Sequence, residues 1–149
     1  MTNTSGDPSH NLFPPVTLAQ LNAKSANTLV SHLGIEFTEI GPAHLIARMP
    51  VDARTRQPLG LLHGGASVVL AETLGSVAAT LCVNPDIQYC VGLEINANHI
   101  KSVRSGFVFG RTTPVHVGKR TQVWEIRITN EQHELVCVSR ITLAVIDRR

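Results

Sequence analysis

One carboxylate interrupts the longest apolar stretch of the chain. Between Ala66 and Val83 the only charged residue is Glu72, in the run Ala66-Ser67-Val68-Val69-Leu70-Ala71-Glu72-Thr73-Leu74-Gly75-Ser76. A charge held in such surroundings without a partner costs on the order of several kcal/mol. Glu72 therefore either looks out from one wet side of the segment or has chemical work to do. Its neighbours at helical spacing, Val68, Gly75, Ser76 and Ala79, carry no charge. Small residues beside a carboxylate leave room for a ligand or a partner helix. A carboxylate placed so suits a nucleophile or a general base. Ser76, four residues on, can hydrogen-bond the carboxylate or a substrate, or serve as ordinary helix packing.

The second chemical feature is His63-Gly64-Gly65, just before this apolar run. The first-turn N–H groups of a helix lack internal partners and carry the positive end of the dipole. Glycines let a ligand come close to that backbone, and a carbonyl turning into an oxyanion is a fitting guest. The glycines also suit a tight turn into the helix, and His63 suits a surface or capping role. Gly64 precedes Glu72 by eight residues, about 12 Å along a helix. One carbonyl cannot meet both groups from one chain. If both act on one substrate they come from different subunits, so the chemistry predicts a homodimer with two composite sites.

The elements that must position these residues follow from periodicity. The spacing predicts one long helix from Gly65 to Val83, with an apolar stripe of Val69, Leu70, Leu74, Val77, Ala78 and Leu81, ended by Asn84-Pro85-Asp86. Before it, Thr17 with Gln20 forms a capping-box pattern for a short helix, and Leu29–Leu33 reads as a second, stopped by Gly34. Ile35 and Phe37, then Leu45, Ala47, Met49 and Val51, alternate as strands across a Gly41-Pro42 turn. After the helix, Val91, Leu93, Ile95 and Ala97 share one strand face. Further strands start at Phe107, run through Trp124, Ile126 and Ile128, and span Leu135 to Ile146. Short strand-to-strand connections demand antiparallel pairing. The fold class expected is α+β, a long antiparallel sheet curled around one central helix.

Of 149 residues, 43% are hydrophobic, enough for a core in one domain, whereas only 16% are charged, fewer than a soluble chain usually carries. So few charges on a small domain suit one that hides surface in an oligomer, a reading that needs other evidence beside it. Residues 1–15 read as a loose tail and 16–149 as a single domain. The net charge of +2, with one Trp and one Tyr, argues against nucleic acid. No acid lies between Glu94 and Glu125, where His99, Lys101, Arg104, Arg111, His116, Lys119 and Arg120 gather. That stretch suits an anionic ligand or a solvated strand face. Cys82, Cys90 and Cys137 show no Cys-x-x-Cys spacing and read as buried reduced thiols. Neither a signal peptide nor a membrane span is expected, and the cytoplasm follows by default.

The run Pro58-Leu59-Gly60-Leu61-Leu62-His63-Gly64-Gly65-Ala66-Ser67, with Glu72 behind it, resembles the signature of hotdog-fold acyl-CoA thioesterases. The branch is that of the phenylacetate-pathway and Arthrobacter-type 4-hydroxybenzoyl-CoA thioesterases. Met49–Ser76 and Val91-Gly92-Leu93-Glu94-Ile95-Asn96-Ala97-Asn98-His99 resemble still more the bacterial 1,4-dihydroxy-2-naphthoyl-CoA thioesterases of menaquinone synthesis. They are also similar to the proofreading thioesterases of enterobactin synthesis. The resemblance implies a hotdog fold and hydrolysis of an aromatic acyl-CoA. It places Glu72 at the catalytic carboxylate and Gly64 at the oxyanion N–H. It puts His63 and Gln57 at positions that orient the thioester, and Ser76 at an assisting hydroxyl. Gly92, His99, Lys101, Ser102, His116, Gly118, Lys119 and Arg120 fall in segments that hold coenzyme A, with Lys101 where relatives carry Arg, a point charge in place of a fork. Coenzyme A enters as part of the substrate; no cofactor and no metal are implied. Hotdog dimers commonly pair again, so a homotetramer is expected by analogy. A hydroxyacyl dehydratase would carry a histidine followed by an aromatic residue and proline, whereas His63 precedes Gly-Gly. A non-catalytic acyl-CoA binding module is the remaining rival, and would do without Glu72.

Overall fold

The computed structural model describes residues 11–149. Of the expected loose tail, residues 1–10 lie outside the described residues. Residues 11–15 do not hang free. The Leu12 N–H donates to the Pro42 carbonyl at 2.7 Å, and Phe13 is buried with its ring stacked on Trp124, centroids 6.2 Å apart. An aromatic side chain that finds an apolar floor gains more than it loses in chain entropy, so the segment docks.

Helix α1 (Leu18–Lys24) starts at the Thr17/Gln20 capping box, and α2 (Leu29–His32) gives way to Gly34 at φ +70°. Strand β1 (Glu36–Ile40) turns into β2 (Leu45–Pro50). A loop leads to α3 (Gly64–Leu81). Then come β3 (Gln88–His99), β4 (Phe107–Val117), β5 (Thr121–Asn130) and β6 (Leu135–Asp147). The six strands form one sheet in the order β1-β2-β4-β5-β6-β3, antiparallel throughout. It curls over α3, and the core between them holds Leu70, Leu74 and Ala78 of the helix against Trp124, Ile126, Ile128, Ile141 and Leu143 of β5 and β6. Buried Gln122 donates to the Ala79 carbonyl and accepts from Trp124 Nε1, so the one large amide in the core is satisfied on both sides.

Two departures from the periodic pattern matter for the site. The buried stripe of α3 is Ala66, Ser67, Leu70, Ala71, Leu74, Gly75, Ala78 and Ala79, not the expected one through Val69 and Val77. Small residues let the helix axis approach the sheet. A Cβ on Gly75 would strike Ile141, and one on Gly110 of β4 would strike Leu74. The helix thus presents Val68, Val69, Glu72, Thr73, Ser76 and Val77, all half-buried, on its other side. The second departure is in β3. Gly92 pairs with Leu143 but Glu94 with Thr142, so Leu93 is an extra residue in a β-bulge. The bulge shifts the alternation, so the expected common face of Val91, Leu93, Ile95 and Ala97 does not form. Val91 and Leu93 are 41% and 63% exposed, while Ile95 and Ala97 pack against the core.

Candidate active site

The Gly64 end of α3 is built from three segments. His63 caps the helix, its Nδ1 accepting from the Gly65 N–H at 2.8 Å, and its carbonyl accepts from Ala66 and Ser67. That leaves the Gly64 N–H as the first-turn donor without an acceptor among the described residues, which is the vacancy an oxyanion needs. The His99 imidazole lies against Gly64: a Cβ there would come within 2.7 Å of Nε2. Gln57 opens a turn in which Gly60 N–H donates to its carbonyl at 2.9 Å, while its side-chain Oε1 accepts from the Leu59 N–H, leaving the amide NH₂ as the free end. Gln57, Gly64, Ser67, His99, Lys101 and Ser102 line one cleft of about 320 Å³.

Glu72 stands two turns further along α3. Its carboxylate is laid over Gly92 of β3, so close that a Cβ at that position would meet Oε1 at 2.9 Å. It makes no ion pair among the described residues. Gly92, expected in a coenzyme A segment, is therefore also the floor under the carboxylate, with the bulge directly after it. Ser76 sits one turn further on, beside an apolar groove of about 350 Å³ walled by Leu21, Val30, Val77 and Leu81.

The residues expected to hold coenzyme A divide into two groups. His99 and the Lys101–Ser102 segment adjoin Gly64; His99 is level with Cys137 of β6. His116 lies at the end of β4, and Gly118, Lys119 and Arg120 form the β4–β5 turn. Thr121, just after it, is level with Ala144 of β6, as is Val91, so this turn lies at the Gly92 end. His116 packs over Gly118, while Lys119 and Arg120 are exposed. Lys101 is not free: its Nζ sits 2.9 Å from Glu134 Oε1. The Asn130 side chain, and then Lys101, hold the Glu134 carboxyl below the usual carboxylate range. Burial pushes the Cys82 thiol up to about 11 and raises Cys90 and Cys137, so none of the three offers a thiolate nucleophile near neutrality. Among the described residues no three His, Cys, Asp or Glu side chains gather to hold a metal. The 18-residue α3 is long and apolar enough to cross a bilayer by composition, but one full stripe of it is core.

A six-stranded antiparallel sheet wrapped on a single helix, with an unpaired N–H at the helix start and a carboxylate mid-helix, defines a hotdog-fold thioester hydrolase. The thioesterase superfamily model matches residues 59–137, and the chain belongs to that family. It is 54% identical to the 1,4-dihydroxy-2-naphthoyl-CoA hydrolase of Escherichia coli over 131 residues, covering 88% of this chain and 96% of that one. It is also 54% identical to a proofreading thioesterase of Cronobacter turicensis over 130 residues, covering 87% and 94%. Among solved structures, a thioesterase of Haemophilus influenzae superposes with a TM-score of 0.89 at 52% identity, covering 91% of this chain and 95% of that one. A thioesterase of Staphylococcus aureus, 35% identical, has been solved as two alanine variants with TM-scores of 0.78 and 0.76, covering 80% and 78% of this chain and 99% and 97% of that one. One replaces a glutamate at position 47 of that chain and the other a glutamine at position 32.

Proposed function

We propose that this protein hydrolyses an aromatic acyl-CoA to the free acid and coenzyme A at a site shared by two subunits. The observation that carries this reading is the division of labour along α3. The free Gly64 N–H and the unpaired Glu72 carboxylate are separated by about 12 Å of helix. The thioester carbonyl oxygen rests against Gly64 N–H, with the helix dipole behind it, and His99 and the Gln57 amide flank the cleft. Glu72 of the partner subunit attacks the carbonyl carbon or takes a proton from the attacking water. The C–S bond breaks and the thiolate of coenzyme A leaves; where water attacked, the free acid is formed directly, and where Glu72 attacked, water then opens the acyl–Glu72 anhydride to give the acid and restore the carboxylate. The separation of Gln57 and Glu72, 15 positions, is that of the glutamine and glutamate replaced in the S. aureus relative, which supports a joint role for the pair.

The homodimer is supported by the free edge of β3 with its exposed Val91 and Leu93 and by the half-buried stripe of α3 that carries Glu72. A two-fold along that edge sets the Gly64 end of one subunit beside the Glu72 end of the other. Pairing of two dimers into a homotetramer, and residence in the cytoplasm, where three free thiols stay reduced, complete the reading. Equal identity to a naphthoyl-CoA hydrolase and to a proofreading enzyme leaves two candidate substrate ranges. Thiol release from benzoyl-CoA, 1,4-dihydroxy-2-naphthoyl-CoA and a medium-chain acyl-CoA separates them. A kcat/KM at least about tenfold higher for the naphthoyl ester assigns the protein to quinone synthesis, and similar values for all three assign it a broad clearing role. Binding of coenzyme A without release from any ester overturns the hydrolase reading.

A further inference from the structure

We propose that Arg104, rather than Lys101, is the cation that engages a phosphate at the nucleotide end of the substrate, in a polar cleft next to the Gly64 cleft. This rests on the acyl-CoA reading above. Residues 100–106 cross from β3 to β4 as a strap fixed on both sides. Leu62 N–H donates to the Val103 carbonyl at 2.7 Å, Ile100 N–H to Val136 at 2.8 Å, and Val51 N–H to the Gly106 carbonyl at 2.8 Å. The strap separates two openings. One is the Gly64 cleft. The other, about 250 Å³, is lined by Ser102, Arg104, Ser105, Phe107, Asn130 and Gln132, along with Glu131. Ser102 borders both, so the two clefts are neighbours along the strap.

The two cations of the strap are in different states. Lys101 is ion-paired with Glu134, so a phosphate approaching it meets a neutralised pair with a carboxylate in front. Arg104 makes no ion pair among the described residues. One of its guanidinium nitrogens donates to the Leu59 carbonyl at 3.3 Å, which steadies the fork while the other N–H groups stay open. A fork held in place by a neutral oxygen suits bidentate phosphate binding, and the surrounding hydroxyls and amides supply further donors. Glu131, the acid of this cleft, lays its carboxylate over Gly106, where a Cβ would meet Oε2. The ligand that fits is a flexible arm ending in a phosphorylated nucleoside.

The test compares benzoyl-CoA with benzoyl-pantetheine, which lacks the nucleotide, and measures binding of adenosine 3′,5′-bisphosphate by calorimetry. Arg104→Ala is expected to raise KM for benzoyl-CoA about tenfold or more, as loss of charged hydrogen bonds does, and KM for benzoyl-pantetheine less than about twofold. It weakens the bisphosphate by a similar factor, whereas Lys101→Ala, which breaks an exposed pair, costs less than about threefold. Arg104→Lys recovers part of the loss. Equal losses on both thioesters would mean that Arg104 acts through the Leu59 turn, and a larger effect from Lys101→Ala would return the phosphate to that residue; either overturns the proposal. Should the wild type cleave neither thioester, the hydrolase reading fails, while the bisphosphate measurement still decides on Arg104.

Discussion

The start and the middle of the central helix differ in what they leave unsatisfied. At Gly64 the open group is a donor: one N–H remains after His63 has taken Gly65, Ala66 and Ser67. At Glu72 it is an acceptor, a carboxylate over a glycine with no ion-pair partner among the described residues. The first end is fixed by local chain geometry, a cap and two glycines. The second is fixed by tertiary contact, with Gly92 of β3, next to the bulge, lying under the carboxylate. A donor and an acceptor about 12 Å apart on one rigid helix cannot serve one carbonyl, so in the proposed mechanism each subunit contributes halves to two different sites.

The sharpest way to break this comparison is to delete the acceptor. Glu72→Ala is expected to lower kcat by about a hundredfold or more while the melting temperature and the binding of coenzyme A hold. Thiol-release kinetics beside calorimetry check this; a loss of binding in step with rate would make Glu72 structural. The donor end can be spoiled by Gly64→Ala, whose Cβ meets His99 at 2.7 Å. Refolding that variant together with Glu72→Ala should restore about a quarter of wild-type activity, because half the dimers are mixed and each mixed dimer keeps one intact site. No recovery would place both halves in one chain. A smaller effect is expected at Gly92→Ala. Its Cβ, 2.9 Å from Oε1, pushes the carboxylate aside and should cost about tenfold in kcat, with KM little changed.

The smallest effect lies away from either end. The Arg54 side chain, and then its backbone N–H, hold the Asp52 carboxyl at about 2, below its ordinary 3.8. A depressed carboxylate pKa stabilises the fold above the unfolded value and loses that contribution as pH falls from about 4 towards 2. Asp52→Asn should lower the melting temperature at pH 7 by about 2 °C or less, as an exposed pair does. The difference should close by pH 2, and calorimetry at both pH values tests it.

How far these two ends could be read beforehand follows the same division. The donor end was legible, because caps and glycines act over a few residues and α3 begins within one residue of the expected start. Glu72 was legible as an isolated charge in an apolar run. What it touches was not. Gly92 alone, inside a strand pattern, hints at a bulge or a close approach without saying which. The rotation of the buried stripe was missed because Val outranks Gly and Ala on any hydrophobic scale, while the sheet selects for closeness. Phe13 on Trp124 and Lys101 with Glu134 join positions far apart in the chain, and no local pattern announces either pair.

The bare edge of β3 has a consequence for how the protein must be handled in a cell. Its twelve residues carry no proline and no lysine, Glu94 is the only acid, and Val91 and Leu93 stand at the surface. Edges in other folds are guarded by such residues, because an open ladder will pair with any extended chain it meets. In the proposed dimer the guard is a second copy. Stability in that dimer is a property of concentration, and the melting temperature is expected to rise as the protein is made more abundant. A chain synthesised far from its siblings is the form most exposed to aggregation and to proteases.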